Sequence, residues 1–181
     1  MITKNGAIFS KDRTYRYVLE RVLSSDSKNI CMFICLNPST ADEDTNDNTV
    51  RRMVSFTKKW GYGTLLVLNA FAFRSPYPKD LKTIEDPVGP ENDWWIKTCA
   101  EQSSIMIGAW GNHAVYKDRS IVLKSMFNDF QTFGVTSKLE PKHPLYVSND
   151  AMLIPYSEAI NKPGYTKLKE AQDGDLLTFL R

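Results

Sequence analysis

An α/β domain with a largely parallel central sheet is the fold class this sequence predicts, and three observations carry the prediction. Ile30–Leu36, Thr64–Asn69 and Ser104–Trp110 are short apolar runs of the kind found in strands buried on both faces. Stretches with helical spacing separate them, so right-handed parallel crossovers are the default connection. Polar or chain-breaking residues (Asn37-Pro38, Asn69, Gly111) end the runs abruptly. The expectation is a three-layer α/β/α arrangement with a sheet of about four strands and helices on both faces. A length of 181 residues suits a single domain covering 1–181.

Taken in order, Ala7–Leu23 alternates aromatic residues with Arg and reads as an edge hairpin, or as a strand running into a short helix. Ser24–Asn29 is a polar turn. After the first buried strand comes an acidic stretch, Asp42–Asp47. Thr49 is then placed to cap a helix over Val50–Trp60, in which Val50, Met53, Val54, Phe56 and Trp60 repeat at helical spacing. Gly61-Tyr62-Gly63 stops that helix. Ala70–Pro90 is a long proline-rich loop, and its length marks it as a binding loop. Helices are expected over Glu91–Ser103 and His113–Asn128, and a weaker fourth strand over Phe130–Val135. From His143 onward the tail is loop-rich, with Pro155 and Pro163 breaking any long element.

The composition narrows the function. A hydrophobic fraction of 42% supports a packed core, and a net charge of +2 excludes a strongly basic coat for holding nucleic acid non-specifically. A local basic groove remains compatible with that charge. Cys31 and Cys35 would share one face of their strand as small buried hydrophobes, badly placed for a disulfide. With only His113 and His143 as histidines and no cysteine pair at metal spacing, no metal site and no cofactor are expected. No signal peptide or membrane-length apolar run is present, so a cytoplasmic protein with no membrane partner is expected.

In sheets of this class ligands bind beyond the carboxyl ends of the strands. That rule selects Asn37–Thr40, Asn69–Arg74, Trp110–His113 and Thr136–Tyr146. In the first cluster an Asn amide can orient a water and stabilise developing charge, so Asn37 is a catalytic candidate, with Leu36, Pro38 and Ser39 around the substrate. His143, fixed by Pro144, can stabilise an oxyanion or donate to a phosphate and is the second catalytic candidate. Asn69 offers an amide for reading a base edge and Arg74 a cation, with Phe71 and Phe73 beside them, which could stack on a planar ring or equally belong to the core. Trp110 and Tyr146 complete the substrate-binding set. Arg51, Arg52 and Lys142 are the phosphate-binding candidates, although Arg51 and Arg52 could equally pair with the acidic stretch. That stretch reads as a solvated loop. As a divalent-ion site it would lack the glycine of a calcium loop.

Motif order adds a resemblance. Cys35-Leu36-Asn37-Pro38-Ser39 is similar to the Gly-Ile-Asn-Pro-Gly motif of the uracil-DNA glycosylase superfamily, in its mismatch-specific and thymine-DNA branch. Gly61-Tyr62-Gly63-Thr64 through Asn69, then Arg74-Ser75-Pro76 and Leu81, resembles that branch's second motif. Ala109-Trp110-Gly111-Asn112 and His143-Pro144 resemble later landmarks. The strings LNPSTADEDTNDNTVRR, GYGTLLVLNAFAFR, DPVGPENDWW, AWG and HPLY also resemble an uncharacterised family of small bacterial and phage proteins.

The glycosylase resemblance implies a glycosylase-like fold and hydrolysis of an N-glycosidic bond in DNA or a nucleotide. Asn37 would position the hydrolytic water, His143 would stabilise the departing base or contact phosphate, and Asn69 would face a flipped base. Ser39 departs from the usual Gly, the acidic insertion has no counterpart, and only Leu145 and Tyr146 are available as a wedge. Two other readings remain: a binding module of the same fold that does not cleave, and a metal-assisted hydrolase using Asp42, Asp44 and Asp47. The sequence leaves the oligomeric state open.

Overall fold

The computed structural model describes residues 6–24, 29–127 and 129–162. Part of the turn expected at Ser24–Asn29, the helix end at Asn128 and the break at Pro163 lie outside them. The described residues form an α/β fold around one mixed sheet in the order β1-β2-β4-β3-β5-β6-β7. The strands are β1 (Gly6–Phe9), β2 (Arg16–Val22), β3 (Ile30–Cys35), β4 (Thr64–Asn69), β5 (Ile105–Gly108), β6 (Gln131–Thr132) and β7 (Ile154–Pro155). The helices are α1 (Asn48–Lys59), α2 (Asn92–Gln102), α3 (Arg119–Met126) and α4 (Tyr156–Ile160).

The sheet is wider than the expected four strands, and for a definite reason. Its centre, β4-β3-β5-β6, is parallel, as the buried apolar runs imply. The β1–β2 hairpin then joins β4 antiparallel, and β7 joins β6 antiparallel. Of the two readings of Ala7–Leu23, the hairpin is the one adopted, and β2 lies inside the sheet with β1 at its edge.

Period-two alternation sorts the core into two clusters. Met32, Ile34, Leu66 and Leu68 point to one face, with Ile96 and Cys99 of α2 and Leu123 of α3. Cys31, Phe33, Cys35, Leu65 and Val67 point to the other, against Val50, Met53 and Phe56 of α1. Cys31 and Cys35 thus share a face, and burial pushes both thiols up to about 12. Phe33, Phe56, Trp60 and Phe133 form one aromatic stack, with Phe56 and Phe133 centroids 4.8 Å apart.

Two helix expectations need correction. The cap of α1 is Asp47 and not Thr49: Val50 N donates to Asp47 Oδ1 at 2.8 Å, so the helix starts two residues early. The single helix expected over His113–Asn128 is broken. A 3₁₀ segment (Asn112–Asp118) kinks where Lys117 and Asp118 adopt left-handed φ of 52° and 53°, and α3 begins only afterwards. The kink turns Arg119 inward, where its Nε donates to Ala70 O at 2.6 Å and its Nη2 pairs with Asp93. A buried cation is satisfied at the cost of helical continuity. The fourth strand is shorter than Phe130–Val135, because Gly134 at φ 110° turns the chain away.

Candidate functional site

β3 has β4 on one side and β5 on the other, and the chain leaves β3 between them. This is the switch point of the parallel sheet, where strand ends splay and open a crevice. A cavity of about 580 Å³ occupies it. Residues from all four selected clusters line it: Asn37 and Ser39, Asn69, Trp110 with Asn112 and His113, and Thr136 with Lys142 and His143. Asn37, Asn69 and His143, remote in sequence, therefore face one space.

Each side chain is held differently. Asn37 Nδ2 donates to Ser75 O at 2.7 Å and to Pro38 O at 3.2 Å, which fixes the amide's orientation. Its Oδ1 accepts nothing from the described residues. The Ser75 turn is itself tied down, with Ser75 Oγ donating to Asp80 Oδ2 at 2.5 Å and Ser75 N to Pro38 O at 2.9 Å. The long proline-rich loop is thereby an ordered wall. Asn69, at the end of β4, is 1% exposed and its Nδ2 has no partner among the described residues. Leaving a buried donor unmade is costly, so such an atom marks where an acceptor belongs.

His143 lies against the Asp47 side of the cavity. Burial holds its imidazole below the ordinary 6.5, and the nearby Asp47 carboxylate opposes that shift without cancelling it. The neutral ring accepts from Leu145 N through Nδ1, a long contact at 3.4 Å, which leaves Nε2 as the protonated nitrogen. Asp47 uses Oδ1 for the helix cap, and its other oxygen makes no hydrogen bond to the described residues. Cys35 also lines the cavity, but a thiol held up at about 12 by burial is no nucleophile at neutral pH.

Several expected residues are placed elsewhere. Pro38 is buried behind the turn and contributes its carbonyl, not its ring. Phe71 is wholly buried in the core beside Tyr116, because Phe71 N bonds Leu36 O and continues the strand-end packing inward. It presents no face for stacking. Arg74 lies in a shallow neighbouring groove with Arg13, over the Phe9 ring at 4.8 Å. Arg51 is on the exposed side of α1 and donates to Asn48 Oδ1. Arg52 points to the His143 loop, donating to Val147 O at 2.5 Å, Pro144 O at 3.4 Å and Asn149 Oδ1. It is a clamp on that loop, outside the cavity lining.

By contrast Leu36, Ser39, Trp110, Lys142 and Tyr146 do line the cavity. Trp110 is fixed as a wall, its indole N–H donating to the buried Glu140 at 2.8 Å. Tyr146 is 84% exposed at the rim, beside the half-exposed Leu145.

The acidic stretch is the solvated loop expected, with its backbone tied down. Arg21 of β2 donates to Asp42 O at 2.5 Å and to Asn46 Oδ1 at 2.7 Å, and Arg13 forks onto Glu43. Among the described residues no group of three or more His, Cys, Asp or Glu side chains is placed to hold a metal ion. No described helix is long and apolar enough to cross a membrane.

Sequence reasoning missed Arg16 altogether, and it named Asp47 only as a metal-ligand candidate and not as part of this cavity. Arg16, the first residue of β2, is 2% exposed, lines the cavity and donates through Nη1 to Ala41 O at 2.7 Å. The alternation of Tyr15, Arg16 and Tyr17 held the only signal. Within a strand buried on both faces, that pattern forces an Arg inside.

A family profile matches residues 16–145, a span holding every cavity-lining residue except Tyr146. The chain belongs to the DUF1643 family. The family is described as a protein of unknown function. No curated protein and no solved structure matches the chain. The DUF1643 span opens at Arg16 and closes at Leu145, both of which line the cavity.

Proposed function

We propose that this DUF1643 protein is an N-glycosidic hydrolase acting on a nucleobase in DNA or in a nucleotide. The observation that carries the reading is the convergence of Asn37, Asn69, Asp47 and His143 on one cavity at the sheet's switch point. Apolar walls from Leu36, Trp110 and Pro76 suit a flat heterocycle, and the unpartnered Asn69 amide supplies a contact for its polar edge. The motif resemblance to the uracil-DNA glycosylase superfamily points the same way. The exposed Leu145 and Tyr146 at the rim suit contact with unstacked bases and favour a nucleic-acid partner.

The chemistry assigned to these groups is simple. Asn37 Oδ1 and the free oxygen of Asp47 hold a water. As the C–N glycosidic bond breaks, its electron pair leaves with the base. The water oxygen bonds to the anomeric carbon and gives a proton to Asp47. His143 Nε2–H hydrogen-bonds the departing base, which later takes a proton from solvent.

The test is alkali-induced strand cleavage on labelled oligonucleotides carrying uracil or hydroxymethylated or glycosylated bases, single- and double-stranded. Cleavage that falls about a hundredfold in Asn37→Ala and again in Asp47→Asn would support the reading. Binding without cleavage would replace it with the binding-module reading, and cleavage abolished by a chelator would replace it with the metal-assisted one.

A further inference from the structure

The inner end of the cavity contains a second feature that the glycosidic chemistry does not use. Arg16 is almost wholly buried, and its Nε has no hydrogen-bond partner among the described residues. No carboxylate among the described residues forms an ion pair with it. Its Nη1 donates to a main-chain carbonyl. The charged groups acting on it through space are Asp47, which favours its charge, and Arg74 and Arg21, which oppose it. Burial pulls the guanidinium down to about 10, which leaves it cationic at neutral pH.

A buried cation without a partner is costly, and the cost is recovered only when an anion arrives. Asn69, on the adjacent strand β4, faces the same cavity with a buried, unpartnered Nδ2. Lys142 also lines it and makes no side-chain hydrogen bond within the described residues. Two cationic side chains, Arg16 and Lys142, thus face the single carboxylate of Asp47 across this space.

We infer that Arg16 and Asn69 form an anion subsite inside the cavity, so that the ligand carries a negatively charged group with acceptor oxygens into the fold. The inference rests on the reading of the cavity as a nucleobase or nucleotide site and narrows the substrate class to an acidic one. The charge has two chemical sources: a phosphate on the sugar, or a base that is itself acidic. Arg16 supplies a fixed charge and a free Nε donor, and Asn69 supplies a second donor from the neighbouring strand. Because both are already desolvated, the subsite needs little reorganisation when the anion enters.

The experiment is calorimetric titration of the full chain with matched neutral and anionic probes at fixed ionic strength. Deoxyuridine is compared with deoxyuridine 5′-monophosphate and inorganic phosphate, and uracil with 5-nitrouracil and orotate. The expected result is binding at least about tenfold tighter for one anionic member than for its neutral partner. A preference for the monophosphate assigns the charge to phosphate, and a preference for the acidic bases assigns it to the ring. Arg16→Gln is expected to abolish the preference, and Arg16→Lys to retain part of it. Since Arg16 also holds Ala41 O, a second variant guards against misfolding. Asn69→Asp is nearly isosteric, puts a carboxylate beside Arg16, and should reject the same anions.

Equal binding of neutral and anionic probes would overturn the inference, as would no binding of any probe. A preference unchanged in Arg16→Gln or in Asn69→Asp would do the same. These outcomes are independent of strand cleavage. Anion binding without cleavage sinks the hydrolase and spares the subsite, and cleavage without anion preference does the reverse.

Discussion

Removing Arg52 should loosen the histidine loop from α1 before it affects any ligand. The guanidinium reaches three groups of the 144–149 segment, at Pro144 O, Val147 O and Asn149 Oδ1, and lies 4.8 Å over the Phe56 ring. The Pro144 contact is long at 3.4 Å and the Asn149 contact is exposed, so the bond to Val147 O carries most of the energy. A hydrogen bond from a charged donor is worth about 1.5–3 kcal/mol, and the weaker contacts add little, so Arg52→Ala should cost about 2 kcal/mol. For a chain of this size that lowers the melting temperature by about 4–8 °C. Arg52→Lys keeps the charge but loses the fork and should recover only a small part. Chemical denaturation measures the loss, and amide exchange at Tyr146 and Val147 should quicken more than exchange in β3. A change below about 0.5 kcal/mol in ligand-free protein would refute the clamp. If nucleic-acid binding then lost salt dependence, Arg52 would return to the phosphate-contacting role its sequence position suggested.

Two further outcomes follow from packing and protonation. A methyl group at Gly108 would meet Phe130 at 2.5 Å and Trp110 at 3.0 Å, so Gly108→Ala should destabilise by about 1–3 kcal/mol, and an unchanged denaturation midpoint would contradict this packing. His143 is held below 6.5 in the fold, so the unfolded chain takes the proton first. Its contribution to stability is full above 6.5 and is lost as pH falls through 6.5 towards the lower folded value. Stability measured from pH 7.5 to 5 should therefore drop more in the native chain than in His143→Gln, and parallel curves would show that the ring is not held neutral.

The parallel centre of the sheet was readable because β3, β4 and β5 are buried on both faces and so carry continuous apolar text. The rule of carboxyl ends then pointed to Asn37, Asn69 and His143 without any knowledge of distance. The hairpin's place inside the sheet was not readable, because β2 mixes Arg with aromatics and looks like an edge. Its arginines are buried because main-chain carbonyls of the acidic loop receive them, a partnership between residues 21 to 25 positions apart. Phe71 was open between stacking and core, and the structure selects the core, because the chain has already turned back inward there. Asp47 was hidden in a run of carboxylates, most of which are occupied in turns and surface pairs.

One side chain joins the beginning of α1 to the cavity. Because one oxygen of Asp47 holds the cap and the other is free at the cavity, a ligand that draws the free one inward would tug on the cap, and fraying of the first turn would move the cavity edge. Occupancy of the crevice and order at the start of α1 are therefore linked quantities. The amide proton of Val50 becomes a gauge, built into the backbone, of what the crevice contains.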